Sequence, residues 1–67
     1  MERWLALRAR LYNAVFAHNS VANGDLIYHY LSELENIATK ELQAELERCR
    51  VLVQEWSDTW YPKFPAR

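Results

Sequence analysis

Apolar residues recur every three or four positions along most of the chain, the spacing that places them on one face of an α-helix. The first such segment covers residues 3–18 and contains neither Gly nor Pro. It is rich in Ala, Leu and Arg, which are strong helix formers. The stripe at this spacing runs through Trp4, Leu7, Leu11, Val15 and His18. We therefore predict a first helix over residues 3–18.

A second, longer apolar series follows the turn-forming residues 19–24, which include Gly24, the sole glycine. Its members are Ile27, Leu31, Leu34, Ala38, Leu42, Leu46, Cys49, Val53, Trp56 and Trp60. No Gly or Pro interrupts it, so the pattern predicts one long helix over residues 25–59. Asn23 or Asp25 is expected to cap its first turn.

An alternative places a break near residues 36–39, with Thr39 as the cap of a third helix. Asn and Thr each cost only about a few tenths of a kcal/mol inside a helix, so local propensity supports the break weakly. The preferred fold is therefore all-α, a helical hairpin with a short first helix and a long second one. A three-helix bundle remains the alternative.

The two predicted helices differ in length, which points to a homodimer. At about 1.5 Å per residue they rise roughly 24 Å and 51 Å, so the first covers only half of the second. A bare apolar stripe would cause aggregation unless another chain covered it, and two hairpins pairing antiparallel would form a four-helix bundle. The predicted dimer interface comprises Leu42, Leu46, Cys49, Val53, Trp56 and Trp60.

Composition supports the same interpretation. With 67 residues the chain forms at most one domain, residues 1–67, of marginal stability. Its single cysteine, Cys49, rules out an intrachain disulfide. Oligomerisation therefore remains as the way to compensate for the small core. The apolar run at residues 51–53, like every other in the sequence, is far shorter than the roughly 20 residues of a membrane span. We expect a cytoplasmic protein that does not enter a membrane.

Charge and residue chemistry argue against two other classes of function. A helix-turn-helix DNA-binding protein is a further alternative, because two predicted helices are joined by a turn. It is disfavoured because the segment after residue 24 is acidic and has no Lys or Arg before Lys40 to neutralise phosphates. His18, His29 and Cys49 lack the spacing of metal ligands, and no carboxylate pair is predicted to lie in a pocket. The sequence therefore predicts no catalytic residue, metal or cofactor.

The first helix and the C-terminal residues carry the predicted contacts to a protein partner. Aromatic and arginine side chains are typical of interface hot spots. The candidates are Arg3, Arg8, Tyr12, Phe16, Trp60, Tyr61 and Phe64. Pro62 is expected to end the second helix, which leaves an extended tail of aromatic and proline residues over 60–67. Within it the segment 62–67 has the form P-x-x-P-x-R, which resembles ligands of SH3 domains.

The predicted function is that of a small non-enzymatic protein-interaction module, a regulator or inhibitor that binds and masks a protein partner of unknown identity. The alternative is a structural or assembly subunit of a larger hetero-complex. In that case the apolar stripe of the long helix would pair with a helix of a different protein.

Overall fold

The computed structural model describes residues 2–60, and within them the chain forms helices and turns but no strand. Three α-helices follow one another: α1 (Glu2–Val15), α2 (Gly24–Ile37) and α3 (Gln43–Trp60). Short 3-10 turns at Ser20–Asn23 and Lys40–Leu42 lead into α2 and α3. The all-α prediction is confirmed, and three helices replace the predicted two.

The predicted continuous helix over residues 25–59 is wrong, because the backbone is extended at two consecutive residues. Ala38 has φ/ψ of −68° and 130°, and Thr39 has −93° and 178°. The helix then restarts, with the Leu42 N–H donating to the Thr39 carbonyl at 3.0 Å. The side-chain amide of Gln43 donates to the same carbonyl at 3.2 Å. Thr39 thus takes the cap position, although its hydroxyl makes no capping hydrogen bond.

Burial explains why the break is favoured. Folding back at residues 38–39 allows α3 to pack its apolar stripe against α1 and α2 of the same chain, where Leu46, Cys49 and Val53 are at most 3% exposed. Burying each large apolar side chain is worth about 1.5–3 kcal/mol. Each helical hydrogen bond that the break removes contributes only about 1 kcal/mol net. The free energy gained by burying several apolar side chains is therefore larger than the free energy lost with these few hydrogen bonds.

The core is shared by all three helices, and α2 packs against both of the others. Its buried apolar members are Trp4, Leu7, Leu11, Ala14, Val15, Ile27, Leu34, Leu42, Leu46, Cys49, Val53 and Trp56. Four members of the predicted stripe of the first helix are therefore on the buried face, whereas the fifth, His18, is exposed and lies beyond the end of α1 at Val15, three residues earlier than predicted.

The turn between α1 and α2 differs from the prediction in its capping. Asn23 occupies the cap position of α2 but its side chain does not cap the helix. Its amide instead donates to the carbonyl of Ala14 at 3.5 Å, which joins the end of α1 to the start of α2. Asp25 lies in the first turn of α2, where a carboxylate is favoured by the helix dipole. Gly24 has ordinary helical angles.

The difference in helix length that motivated the homodimer is absent from this fold. The helices contain 14, 14 and 18 residues. Five members of the predicted dimer interface, namely Leu42, Leu46, Cys49, Val53 and Trp56, are buried inside the single chain. Trp60, the sixth, is 54% exposed. A second copy is not needed to cover this stripe.

Candidate functional site: the groove between α1 and α3

An open groove runs between α1 and α3, because these two helices approach each other less closely than α1 and α2 do. One part has a volume of about 360 Å³ and is lined by Tyr12, Glu47, Arg48, Val51, Leu52 and Glu55. A second part, of about 240 Å³, is lined by Val15, Phe16, Leu52, Glu55, Trp56, Thr59 and Trp60. The two parts share Leu52 and Glu55, so we treat them as one feature, the α1–α3 groove.

Large apolar side chains are exposed along this groove. Phe16 is 70% exposed, Trp60 54%, Val51 46% and Tyr12 37%. Tyr12 lies on α1, and Phe16 directly follows the last residue of that helix. The ring centroids of the two side chains are 6.3 Å apart, with the planes tilted by 50°. A grouped set of this kind differs from single apolar residues scattered over a surface, which need no explanation.

Charged groups lie at the wall and the rim of the groove. The Arg8 guanidinium donates to the Glu45 carboxylate, with Nη1 and Oε2 2.7 Å apart, and so connects α1 with α3. Glu47 accepts from Arg50 at 3.4 Å. Arg48 and Glu55 form no ion pair within residues 2–60. The larger part of the groove thus has a mainly apolar floor, and two charges of opposite sign at its rim, Arg48 and Glu55, are available to a partner.

The structure gathers some of the predicted partner-binding residues and separates others. Tyr12, Phe16 and Trp60 line the groove, whereas Arg8 is not among its lining residues and instead pairs with Glu45 between the same two helices. Arg3 lies on the α2 side of α1, where its guanidinium donates to Glu33 at 3.1 Å. The remaining two candidates, Tyr61 and Phe64, lie outside the described residues.

Sequence reasoning missed the α3 wall of the groove. Val51 and Leu52 lie off the buried stripe of α3, and Arg48 and Glu55 lie one turn to either side of them. The signal was the apolar run at residues 51–53, because three consecutive apolar residues on a helix cannot all face one side. Val53 is in the core and half-buried Leu52 packs against it, so Val51, two positions before Val53, faces away from the core.

Reactive and metal-binding side chains are not grouped at this groove. Cys49 is fully buried in the core, and burial raises the pKa of its thiol above the ordinary value of 9.0. His18 and His29 are both exposed. Within residues 2–60 no three His, Cys, Asp or Glu side chains are placed to hold a metal ion together. What the groove offers chemically is apolar contact area with a charged rim.

Comparison with protein-family models, curated proteins and solved structures gave no match. Among the helices described in residues 2–60, none has the length and apolar character needed to cross a membrane. The geometry of the α1–α3 groove is therefore the observation on which a functional proposal can be based.

Proposed function

We propose that this chain is a small non-enzymatic protein-interaction module whose contact surface is the α1–α3 groove. The observation that carries the proposal is the grouping of exposed Tyr12, Phe16, Val51 and Trp60 along one groove. Apolar patches rimmed by polar groups mark binding sites for other proteins. Aromatic residues and arginine also supply a large share of the binding free energy at protein interfaces.

The shape of the groove favours an elongated partner segment. Two helices form its walls and Leu52 belongs to both of its parts, so the apolar floor follows the helix axes. An amphipathic helix that lays its apolar face into such a groove is a recurring mode of recognition. Binding of this kind acts by covering a surface of the partner, which is how a small regulator or inhibitor without catalytic groups would work.

A pair of matched substitutions tests the proposal. Val51→Glu introduces a carboxylate into the groove, and Leu26→Glu introduces the same group on α2, outside it. The two side chains are nearly equally exposed, at 46% and 48%. Each variant and the original chain are immobilised and incubated with lysate of the native host, and the retained proteins are identified by mass spectrometry.

We expect a protein that the original chain and Leu26→Glu retain but Val51→Glu does not, with the helical content of all three unchanged by circular dichroism. A retained protein that is insensitive to Val51→Glu would place the contact on another surface. If no protein is retained specifically, and the original chain also fails to associate with itself, the groove is not a binding site.

A further inference from the structure

The exposed face of α3 that borders the groove has the same order of residue types when it is followed from either end. The residues along it are Ala44, Arg48, Val51, Leu52, Glu55 and Thr59, and we call them the α3 ridge. Each follows the last by three or four positions, apart from the adjacent central pair, so they share one face of the helix. All are exposed except Leu52, which is half-buried.

The ridge is symmetric about the point between Val51 and Leu52. Small residues lie at its two ends, charged residues lie next inside them, and aliphatic residues lie at the centre. The charges have opposite signs, with Arg48 on one side of the centre and Glu55 equally far on the other. When two such helices run antiparallel about a two-fold axis at this point, each residue faces its counterpart across the axis.

We propose that the α1–α3 groove is occupied by a second copy of this chain, with the α3 helices antiparallel and the two-fold axis between residues 51 and 52. In this arrangement Arg48 of each copy faces Glu55 of the other, so the dimer contains two such pairs. Val51 of each copy faces Leu52 of the other at the centre. The inference rests on the proposed function, since it names the protein that the groove binds.

Three observations agree on this arrangement. Arg48 and Glu55 form no ion pair within residues 2–60, so both are available to another chain. The larger part of the groove is lined by the four central residues of the ridge, which places it at the proposed axis. Tyr12 lines the same part from α1 and is 37% exposed, so it would flank the axis with aromatic surface.

Charge reversal gives a test that does not depend on an unknown partner. Arg48→Glu leaves a carboxylate at both charged positions of the ridge, and Glu55→Arg leaves a guanidinium at both. Each variant alone would bring like charges together across the two-fold axis, which disfavours association. A mixture of the two variants would restore opposite charges at both contacts. Arg10→Glu is the matched control, because it makes the same change at an exposed position of α1 outside the ridge.

The measurement is sedimentation equilibrium at micromolar concentration. We expect the original chain and Arg10→Glu to reach twice the 8.0 kDa of one chain. Each ridge variant alone should associate roughly tenfold more weakly or worse, and their equimolar mixture should recover the dimer. Circular dichroism on the same samples checks that every variant is folded.

Two outcomes would overturn the inference. If the original chain stays at 8.0 kDa, no second copy occupies the groove, whereas the proposed function survives provided that Val51→Glu still abolishes capture of a different protein. If a dimer forms but does not respond to the charge reversals, or the mixture does not recover it, the two copies meet elsewhere. The failure of the inference is thus distinguishable from that of the proposed function.

Discussion

At the residue scale, two buried tryptophans differ in how their indole N–H groups are satisfied. The Trp56 Nε1 donates to the Ser20 hydroxyl at 3.0 Å, across 36 positions of sequence. The Trp4 Nε1 is buried without an acceptor within residues 2–60. Because a buried donor without a partner costs about 1–3 kcal/mol, the Ser20 hydroxyl contributes more to stability than an exposed serine would.

Ser20→Ala should therefore lower the free energy of unfolding by about 1–3 kcal/mol, since it removes the oxygen that accepts the Trp56 N–H. Urea unfolding followed by circular dichroism measures the change. Ser32→Ala, at an exposed position of α2, is the control and should stay within about 0.5 kcal/mol of the original chain. Equal effects of the two substitutions would show that the hydrogen bond to Trp56 adds no stability.

Cys49 gives the fold a defined dependence on alkaline pH. Desolvation by burial raises the pKa of its thiol above 9.0, Arg8 opposes the rise, and Glu45 adds to it. A raised pKa in the folded state means that the folded chain keeps its proton where the unfolded chain loses it. The stabilising contribution is therefore complete below the unfolded pKa and is lost as the pH rises through the folded pKa.

We expect the free energy of unfolding to fall more steeply above about pH 9.0 for the original chain than for Cys49→Ala. Cys49→Ala will be less stable at every pH because it leaves a cavity, so the slopes are compared rather than the values. The thiol should also react with iodoacetamide only slowly until the chain is unfolded in urea. Identical slopes for the two chains would contradict the pKa assignment.

At the scale of the element, the break between α2 and α3 makes Lys40 the first residue after the cap, Thr39. Proline is favoured at this position, because the N–H it lacks has no partner within the helix. The extended backbone of Thr39 also suits the residue before a proline. Lys40→Pro should therefore change the free energy of unfolding by less than about 1 kcal/mol.

A continuous helix would respond differently, because an interior proline costs about 3 kcal/mol or more. Ser32→Pro, in the middle of α2, is the control and should abolish the cooperative unfolding transition or shift it strongly. Urea unfolding of the two variants separates the cases. A large loss of stability in Lys40→Pro would show that residues 38–40 are helical in solution.

The sequence predicted the helical segments of this chain but not how they are connected. The spacing of Trp4, Leu7 and Leu11 specifies one buried face, and the structure buries it. Local propensity indicates the break at residues 38–39 only weakly, since its main cause is the burial of α3 residues that lie many positions later. Its site could be named as an alternative only because Asn36 and Thr39 are poor helix formers.

The α1 wall of the groove could be predicted from the sequence, whereas the α3 wall could not. Tyr12 and Phe16 stood out as an apolar excess on the first helix, and the structure exposes both. The α3 wall could not be assigned while the helix was taken as continuous, because the orientation of Val51 relative to α1 depends on the turn at Thr39. A groove also requires that two helices stay apart, which is a property of packing and not of spacing in sequence.

At the scale of the whole molecule, α2 connects the other two helices into a single core. Arg3 joins α1 to Glu33 of α2, and Arg50 of α3 donates to Glu35 of α2 at 3.0 Å. Exposed ion pairs of this kind contribute little to stability, so the shared apolar core must provide most of the cooperativity. Loss of packing at the centre of α2 should therefore release all three helices together.

Leu34 and Leu26 provide the test, since both are leucines of α2 but Leu34 is fully buried and Leu26 is 48% exposed. Leu34→Ala should cost about 2–5 kcal/mol, a large part of the roughly 3–10 kcal/mol expected for a domain of this size. Leu26→Ala should cost less than about 1 kcal/mol. Because Trp4 and Trp56 report on α1 and α3, tryptophan fluorescence and far-ultraviolet circular dichroism should give the same midpoint in urea for every variant. A Leu34→Ala chain in which fluorescence is lost before helicity would mean that α1 or α3 detaches alone, and that the core is not one cooperative unit.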